Sequence, residues 1–209
     1  MTAADEQTGR ITDEAIARLR ARIGVAEPHP RPPHYREITV DVFRHVAEAY
    51  GDDNPLWCDP SYGPRTRWQS PIAPPPLVGG DTLIGEDEVT ELDPDTAALL
   101  KGDPLRGVHA FYSASAREWW APLRPGRRVR RRNALVAVLD KPSEFAGRAV
   151  HEWTGQVFRE EEGPLLAAQY RLMIRTERDS AQQRRKYDDV RIEPYTDEQI
   201  EEIERQYAS

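Results

Sequence analysis

Between positions 166 and 175 the chain alternates without a break. Leu166, Ala168, Tyr170, Leu172 and Ile174 fall on one side of the pattern, and Ala167, Gln169, Arg171, Met173 and Arg175 on the other. Successive side chains of an extended chain point to opposite faces, so this period of two specifies a half-buried β-strand. Three further segments have strand character. Val108–Trp119 is rich in aromatic and small residues, Arg128–Leu139 ends with Leu135, Ala137 and Leu139 on one face, and Ala149–Arg159 carries Trp153 and Val157. Turns at Pro122–Gly126 and Glu161–Gly163 separate them. Helical patterns precede this run of strands instead of alternating with it. The expected class is therefore α+β, an antiparallel sheet with its helix segregated to one face.

Two amphipathic helices are predicted ahead of the strands. Thr12 caps the first, with Asp13 and Glu14 in the opening turn, Ile16, Leu19 and Ile23 on one stripe, and Gly24 as the stop. A proline-rich stretch, Pro28–Pro33, then reads as an extended connector. The second helix starts from Thr39. Ile38 and Phe43 have the spacing of a hydrophobic staple, while Phe43, Val46, Ala47 and Tyr50 form the stripe that Gly51 ends. His45 falls off that stripe and reads as exposed, and His109 and His151 on strands read as structural. Residues 85–104 are acidic without clear periodicity and read as a solvated loop. A charged linker around Gln182–Lys186 leads to a last helix with a capping box at Thr196 and Gln199, a staple of Tyr195 and Ile200, and a stripe of Ile200, Ile203 and Tyr207.

Composition narrows the function classes. With 38% apolar and 31% charged residues the core is modest for a chain of 209 residues, which suits one domain with terminal extensions. No run approaches the roughly 18–20 apolar residues of a membrane span, and the polar start Met1–Gln7 lacks the features of a secretory signal. A net charge of −7 gives no support to nucleic-acid binding. Cys58 is the single cysteine, so no internal disulfide forms, which fits a reducing cytoplasm. No metal-ligand spacing appears among Cys58 and the five histidines. The expectation is a cytoplasmic protein without metal, membrane or nucleic-acid partner.

The candidate site lies where the second helix ends. Ala49-Tyr50-Gly51-Asp52-Asp53-Asn54-Pro55-Leu56-Trp57-Cys58-Asp59-Pro60 concentrates acids, an amide, prolines and a Trp between a helix and a loop. Asp52 starts a non-helical turn, where a carboxylate can be aimed. The bland alternatives stay open: Asp52 as a turn cap, Asn54-Pro55 as turn chemistry, Trp57 as core or interface filler, and Cys58 as a small buried residue. The arginines at 127, 128 and 130–132 read either as a solvated strand edge that blocks aggregation or as a patch for the phosphates of a carrier.

In register, Gly51, Asp52, Asn54, Pro55, Leu56, Asp59 and Pro60 match the Gly-Asp-x-Asn-Pro-(Leu/Ile/Val)-His-x-Asp-Pro signature. The chain thereby resembles the MaoC-like (R)-specific enoyl-CoA hydratases and 3-hydroxyacyl dehydratases, over roughly residues 12–207. It looks like the N-terminal-type domain of that family, which often pairs with a competent one. The resemblance implies a single hotdog fold, a central helix wrapped by an antiparallel sheet, at residues 35–178. An N-terminal extension with a short helix (1–34) and a linker with a C-terminal helix (179–209) would flank it. It also places the start of the central helix near Leu77, after a Pro-Ile-Ala-His-Gly-like run. Pro71-Ile72-Ala73 matches that run, and Pro74-Pro75 replaces His-Gly.

Two departures bear on chemistry. Hydrating an enoyl thioester needs a base for water, a proton for C2 and donors for the developing enolate oxygen. Where the family has the motif His, this chain has Trp57, whose indole is a donor only. Where the family uses a backbone N–H at the start of the central helix, Pro74 and Pro75 carry none. The candidate catalytic residues are Asp52 and Asn54. Trp57, Ile72, Ala73, Pro74, Pro75 and Leu77 are the candidate substrate-binding residues. The expected role is a subunit of a heteromeric enoyl-CoA hydratase or 3-hydroxyacyl dehydratase, shaping the acyl pocket while a partner hotdog chain supplies the His/Asp pair. The substrate would be an acyl thioester on CoA or acyl-carrier protein, with no other cofactor. Pairing would run through sheet edges, with a second hotdog subunit or with another copy. The alternatives are a divergent isomerase, eliminating or cyclising enzyme with Asp52 as lone base, and a non-catalytic acyl- or ligand-binding module.

Overall fold

A computed structural model describes residues 9–79, 83–144, 146–177 and 194–207. In chain order the elements are α1 (Asp13–Arg20), β1 (Ala26–Glu27), α2 (Val40–Ala49), the single turn α3 (Pro55–Cys58), 3-10 turns at Gly63–Arg65 and Pro75–Leu77, β2 (Glu86–Asp87), α4 (Pro94–Leu100), β3 (His109–Trp119), β4 (Val129–Ser143), β5 (Gly147–Glu160), β6 (Leu165–Thr176) and α5 (Asp197–Tyr207). Among the described residues the strands form one six-stranded sheet in the order β1-β4-β5-β6-β3, with β2 parallel to β4 beyond that path. The expected linker around Gln182–Lys186 lies outside the described residues. No helix among them is long and apolar enough to cross a membrane.

The helix caps act as their residue types dictate. Thr12 Oγ1 accepts from Ala15 N at 3.1 Å, and Thr39 Oγ1 accepts from Val42 N at 3.3 Å. On α5 the capping box closes both ways, with Thr196 N donating to Gln199 Oε1 at 3.0 Å and Gln199 N to Thr196 Oγ1 at 3.3 Å.

Residues directly opposite each other on paired strands share a face. The register thus sets Arg131, Phe158, Ala167 and Trp119 in one row, and Asn133, Gln156, Gln169 and Arg117 in the next. This face carries the helices. At one end Phe158, Ala167 and Val129 pack with Ile38, Val42, Phe43 and Val46 of the α2 region and with Leu77 and Ile84. At the other end Val138 and Val150 pack with Ala15, Ile16 and Leu19 of α1. The opposite face holds Trp153, Val157, Tyr170, Leu172 and Ile174. Both faces of β6 therefore bury residues: Ala167 and Gln169 on the helix side, Ala168 and Leu172 on the other. The period of two fixed the strand but not which face meets the helices.

The architecture is an α+β hotdog: a long antiparallel sheet with its helices on one face. Two local expectations change. Near Leu77, the expected start of a central helix, there is a single 3-10 turn. Gly79 has φ +106°, outside the right-handed helical region, so no helix runs through it. The helix packed into this end of the core is α2. Residues 85–104, read as a solvated loop, contain both β2 and the helix α4, whose cap Asp93 accepts from Asp95 N and Thr96 N at 3.0 Å each. The arginine cluster is not a bare strand edge. Arg131 is fully buried and forks onto Asp87, Arg130 pairs with Glu86 and Glu161, and Arg159 pairs with Glu88.

Candidate functional site

Helix α2 ends in a Schellman motif. Gly51 N donates to Glu48 O at 3.0 Å and Asp52 N to Ala47 O at 2.9 Å, with Gly51 at φ +69°, the left-handed conformation that glycine adopts without a Cβ penalty. Asp52 is thus fixed directly after the Gly51 stop of a helix whose apolar face is locked into the sheet.

Its carboxylate is occupied by its own loop. Asp52 Oδ1 accepts from Asn54 N at 3.0 Å, and Asp52 Oδ2 accepts from Trp57 Nε1 at 2.9 Å. Asn54 is the cap of α3, its Oδ1 accepting from Leu56 N at 3.0 Å, and Pro55 follows as the first helical residue. Trp57 sits half-buried against the α2–sheet cluster. The indole therefore donates to this carboxylate and holds it in place. It cannot take a proton from water or return one. Cys58 lies beside it, with burial first and then the Asp52 charge pushing its thiol pKa up, away from thiolate reactivity.

This hydrogen bond is open to test. Trp57→Phe keeps a smaller aromatic ring and removes the donor, leaving one oxygen of a half-exposed carboxylate to water. The expected loss is about 1 kcal/mol of stability, below the usual value for a charged hydrogen bond because the site is partly solvated. Urea denaturation of the variant beside wild type measures it.

The second segment is packed, not open. Ile72, Ala73 and Pro74 are buried and Leu77 is 0% exposed, while Pro75 faces outward. Ala73 N donates to Leu123 O at 2.9 Å, Leu77 N to Pro74 O at 3.0 Å and Val78 N to Pro75 O at 3.1 Å. Trp119 Nε1 donates to Val78 O at 2.9 Å and clamps the turn to β3. From Ala73 to Val78 every backbone N–H is either absent at a proline or already bonded within the chain. No oxyanion donor is offered there.

The structure brings Asp52, Asn54 and Trp57 into one hydrogen-bonded loop and sets Trp57 on the rim of the cluster that contains Ala73 and Leu77. A cleft of about 420 Å³ lies at the start of α2, lined by Tyr35, Ile38, Gly85 and Arg127 among others. Sequence reasoning missed the buried glutamines Gln156 and Gln169. Their only sequence signal was an amide on each of two strands beside strongly apolar neighbours.

The chain matches the family described as FAS1-like, dehydratase domain region, over residues 28–156. A probable enoyl-CoA hydratase alpha subunit of Thermomonospora curvata is 22% identical over 162 residues, 76% of this chain and 50% of that protein. The chain thus spans about half the length of that relative. A UPF0336 protein of Streptomyces avermitilis is 27% identical over 151 residues, 72% of this chain and 92% of that protein. Among solved structures, a chain of the ChsH1-ChsH2 complex from Mycobacterium tuberculosis superposes with a TM-score of 0.54 at 17% identity, covering 84% of this chain and 93% of that one. A MaoC-like dehydratase superposes at 0.50 and 16% identity, covering 85% and 51%. With the motif register, the sheet and the matched region in agreement, this chain belongs to the FAS1-like dehydratase region family, built on the MaoC-type hotdog fold.

Proposed function

We propose that this chain is the non-catalytic half of a heteromeric enoyl-thioester hydratase or 3-hydroxyacyl-thioester dehydratase. One observation carries the reading: the carboxylate at the motif position is bound to an indole N–H where the reaction requires a group that exchanges protons. The bonded or proline-blocked backbone of residues 73–78 supports it independently, because it provides no donor for the enolate oxygen. In this reading the Asp52–Asn54–Trp57 loop and the 72–77 turn form one wall of the acyl pocket, and a second hotdog chain supplies the His/Asp pair and the oxyanion N–H. The substrate is carried on CoA or acyl-carrier protein, and no further cofactor takes part.

The sheet supports a partner of that kind. Among the described residues β3 is hydrogen-bonded on one side only, to β6. Its 11 residues contain no proline and leave Phe111, Tyr112 and Trp119 exposed. A long edge of this composition, interrupted by one irregularity at Tyr112–Ala114, favours pairing with another strand.

The test is co-expression with a hotdog-family chain that carries the motif His, followed by hydration of crotonyl-CoA. The isolated chain is expected to be at least about 100-fold slower than the pair, the usual effect of lacking a general base or an oxyanion donor. Ordinary hydratase rates from this chain alone would overturn the reading.

A further inference from the structure

The sheet face turned away from the helices is apolar, and no helix of the described residues packs on it. Both apolar clusters lie on the other side. The strand register lays rows of side chains across this outer face. One row runs Arg132, Val157, Ala168 and Glu118 on β4, β5, β6 and β3. At the far end another runs Leu139, His151, Ile174 and Phe111 on the same strands. Leu139 and Phe111 are each 42% exposed. Near the middle, Val136 and the Tyr170 ring close over Gly155, where a Cβ would meet Val136 Cγ1 at 2.8 Å.

Only the first row ends in charges. Arg132 and Glu118 are exposed, and neither makes an ion pair among the described residues. Three strand spacings, about 14 Å, keep them from reaching each other. Four strands about 4.8 Å apart, over the stretch 132–139 at about 3.4 Å per residue, make a face of roughly 500 Å². Apolar surface of that extent marks an interaction site. Two such faces together would bury about 1,000 Å², enough for a specific interface.

The pattern is complementary to itself. A two-fold axis parallel to the strands, between β5 and β6, sets β4 of each copy over β3 of the other, row on row. Arg132 then meets Glu118 at two symmetric places, Leu139 meets Phe111, and Trp153 meets Leu172. An axis across the strands would lay Arg132 on Leu139 and Glu118 on Phe111, desolvating four charges without partners.

We infer that this face is an interface between two copies of this chain, packed sheet to sheet about a two-fold axis parallel to the strands. The inference does not rest on the proposed function, and it leaves the hydrogen-bonding edge of β3 free for a second hotdog chain.

Sedimentation of the full chain tests it. Wild type is expected to assemble, and Leu139→Glu, three strands away from the β3 edge, to halve the assembled mass. Glu118→Arg and Arg132→Glu each set like charges together at both symmetric places, and each should raise the dissociation constant at least about tenfold. Glu118→Arg/Arg132→Glu restores pairs of opposite sign and should recover wild-type affinity. Arg132 and Glu118 are exposed and unpaired within the chain, so these variants carry the test even where Leu139→Glu fails to fold. A monomeric wild type overturns the inference and leaves α5 or a different chain as the cover. An unchanged mass in folded Leu139→Glu, the result of assembly through β3 alone, overturns it as well. So do single reversals without effect, or a double variant no tighter than the singles. The proposed function is judged separately, by the hydration rate of the pair.

Discussion

Asp87→Ala is expected to cost about 3–5 kcal/mol of folding stability, the range for removing one partner of a buried ion pair. Arg131 is 0% exposed, with its guanidinium enclosed in the sheet. Asp87 meets it as a fork, Oδ1 accepting from Nε at 2.7 Å and Oδ2 from Nη2 at 3.3 Å, while Nη2 also donates to Arg31 O at 2.9 Å. Asp87 comes from β2, in parallel register with Arg131 itself, so the backbone that delivers the carboxylate also covers the cation. Without the carboxylate the buried guanidinium loses the forked countercharge that offsets its desolvation, and the Arg31 carbonyl dipole does not replace it. The exposed pairs nearby set a baseline. Removing Glu86, paired with the partly exposed Arg130, should change stability by at most about 1 kcal/mol. The same logic predicts rescue: Arg131→Met in the Asp87→Ala background removes the buried charge that has lost its fork and recovers most of the loss. Chemical denaturation of the four variants in a double-mutant cycle measures the coupling. A loss under 1 kcal/mol for Asp87→Ala would mean that water reaches Arg131.

That pair also shows where sequence reading stops. Strand and helix signals are local, and they were legible: the alternation at 166–175 is β6, Thr12 and Thr39 cap helices, and Ile38 and Phe43 both bury in the core. The arginines near 130 and the acids near 87 were visible only as two charged stretches of opposite sign. Their match depends on a parallel register across 44 positions, which no local pattern encodes. The family signature placed Asp52 and Trp57 in one loop. That the indole would bond the carboxylate follows from the turn geometry of Gly51 and Asn54. The glutamines were harder still. Period-2 alternation says that Gln169 opposes Tyr170 in direction, but only the strand order and the position of α1 and α2 reveal that the glutamine side is the covered one. The last helix shows the converse limit. Its capping box formed, yet Ile200 and Ile203 remain 43% and 37% exposed, so a stripe predicts amphipathicity without supplying the surface that would cover it.

Phe43→Ala should be as damaging as Asp87→Ala, by about 3–5 kcal/mol, but for the opposite reason: lost apolar contact and a cavity left behind. Phe43 is 0% exposed and shares its cluster with Phe158, Leu77, Leu123 and Leu166, all within 1% of complete burial. Side chains from β5, β6, the Pro75–Leu77 turn and the loop at Leu123 share that cluster, so no single neighbour can move in to fill its volume. Tyr50 is the control. It lies on the same stripe in the sequence but is 67% exposed at the helix's end, and Tyr50→Ala should stay within about 0.5 kcal/mol. The ring also carries the candidate site. It holds α2 against the sheet, α2 ends in the Gly51 cap, and that cap aims Asp52 at Trp57. Phe43→Ala should therefore weaken the loop as well as the core, whereas Trp57→Phe acts on the loop and only on the rim of the core. Hydrogen exchange at Asn54 N, whose proton is held by Asp52, separates the two cases. It should speed up in both variants, but only in Phe43→Ala should the amides of α2 speed up with it. Unchanged α2 protection in Phe43→Ala would show that the helix is held on the sheet by something other than this ring.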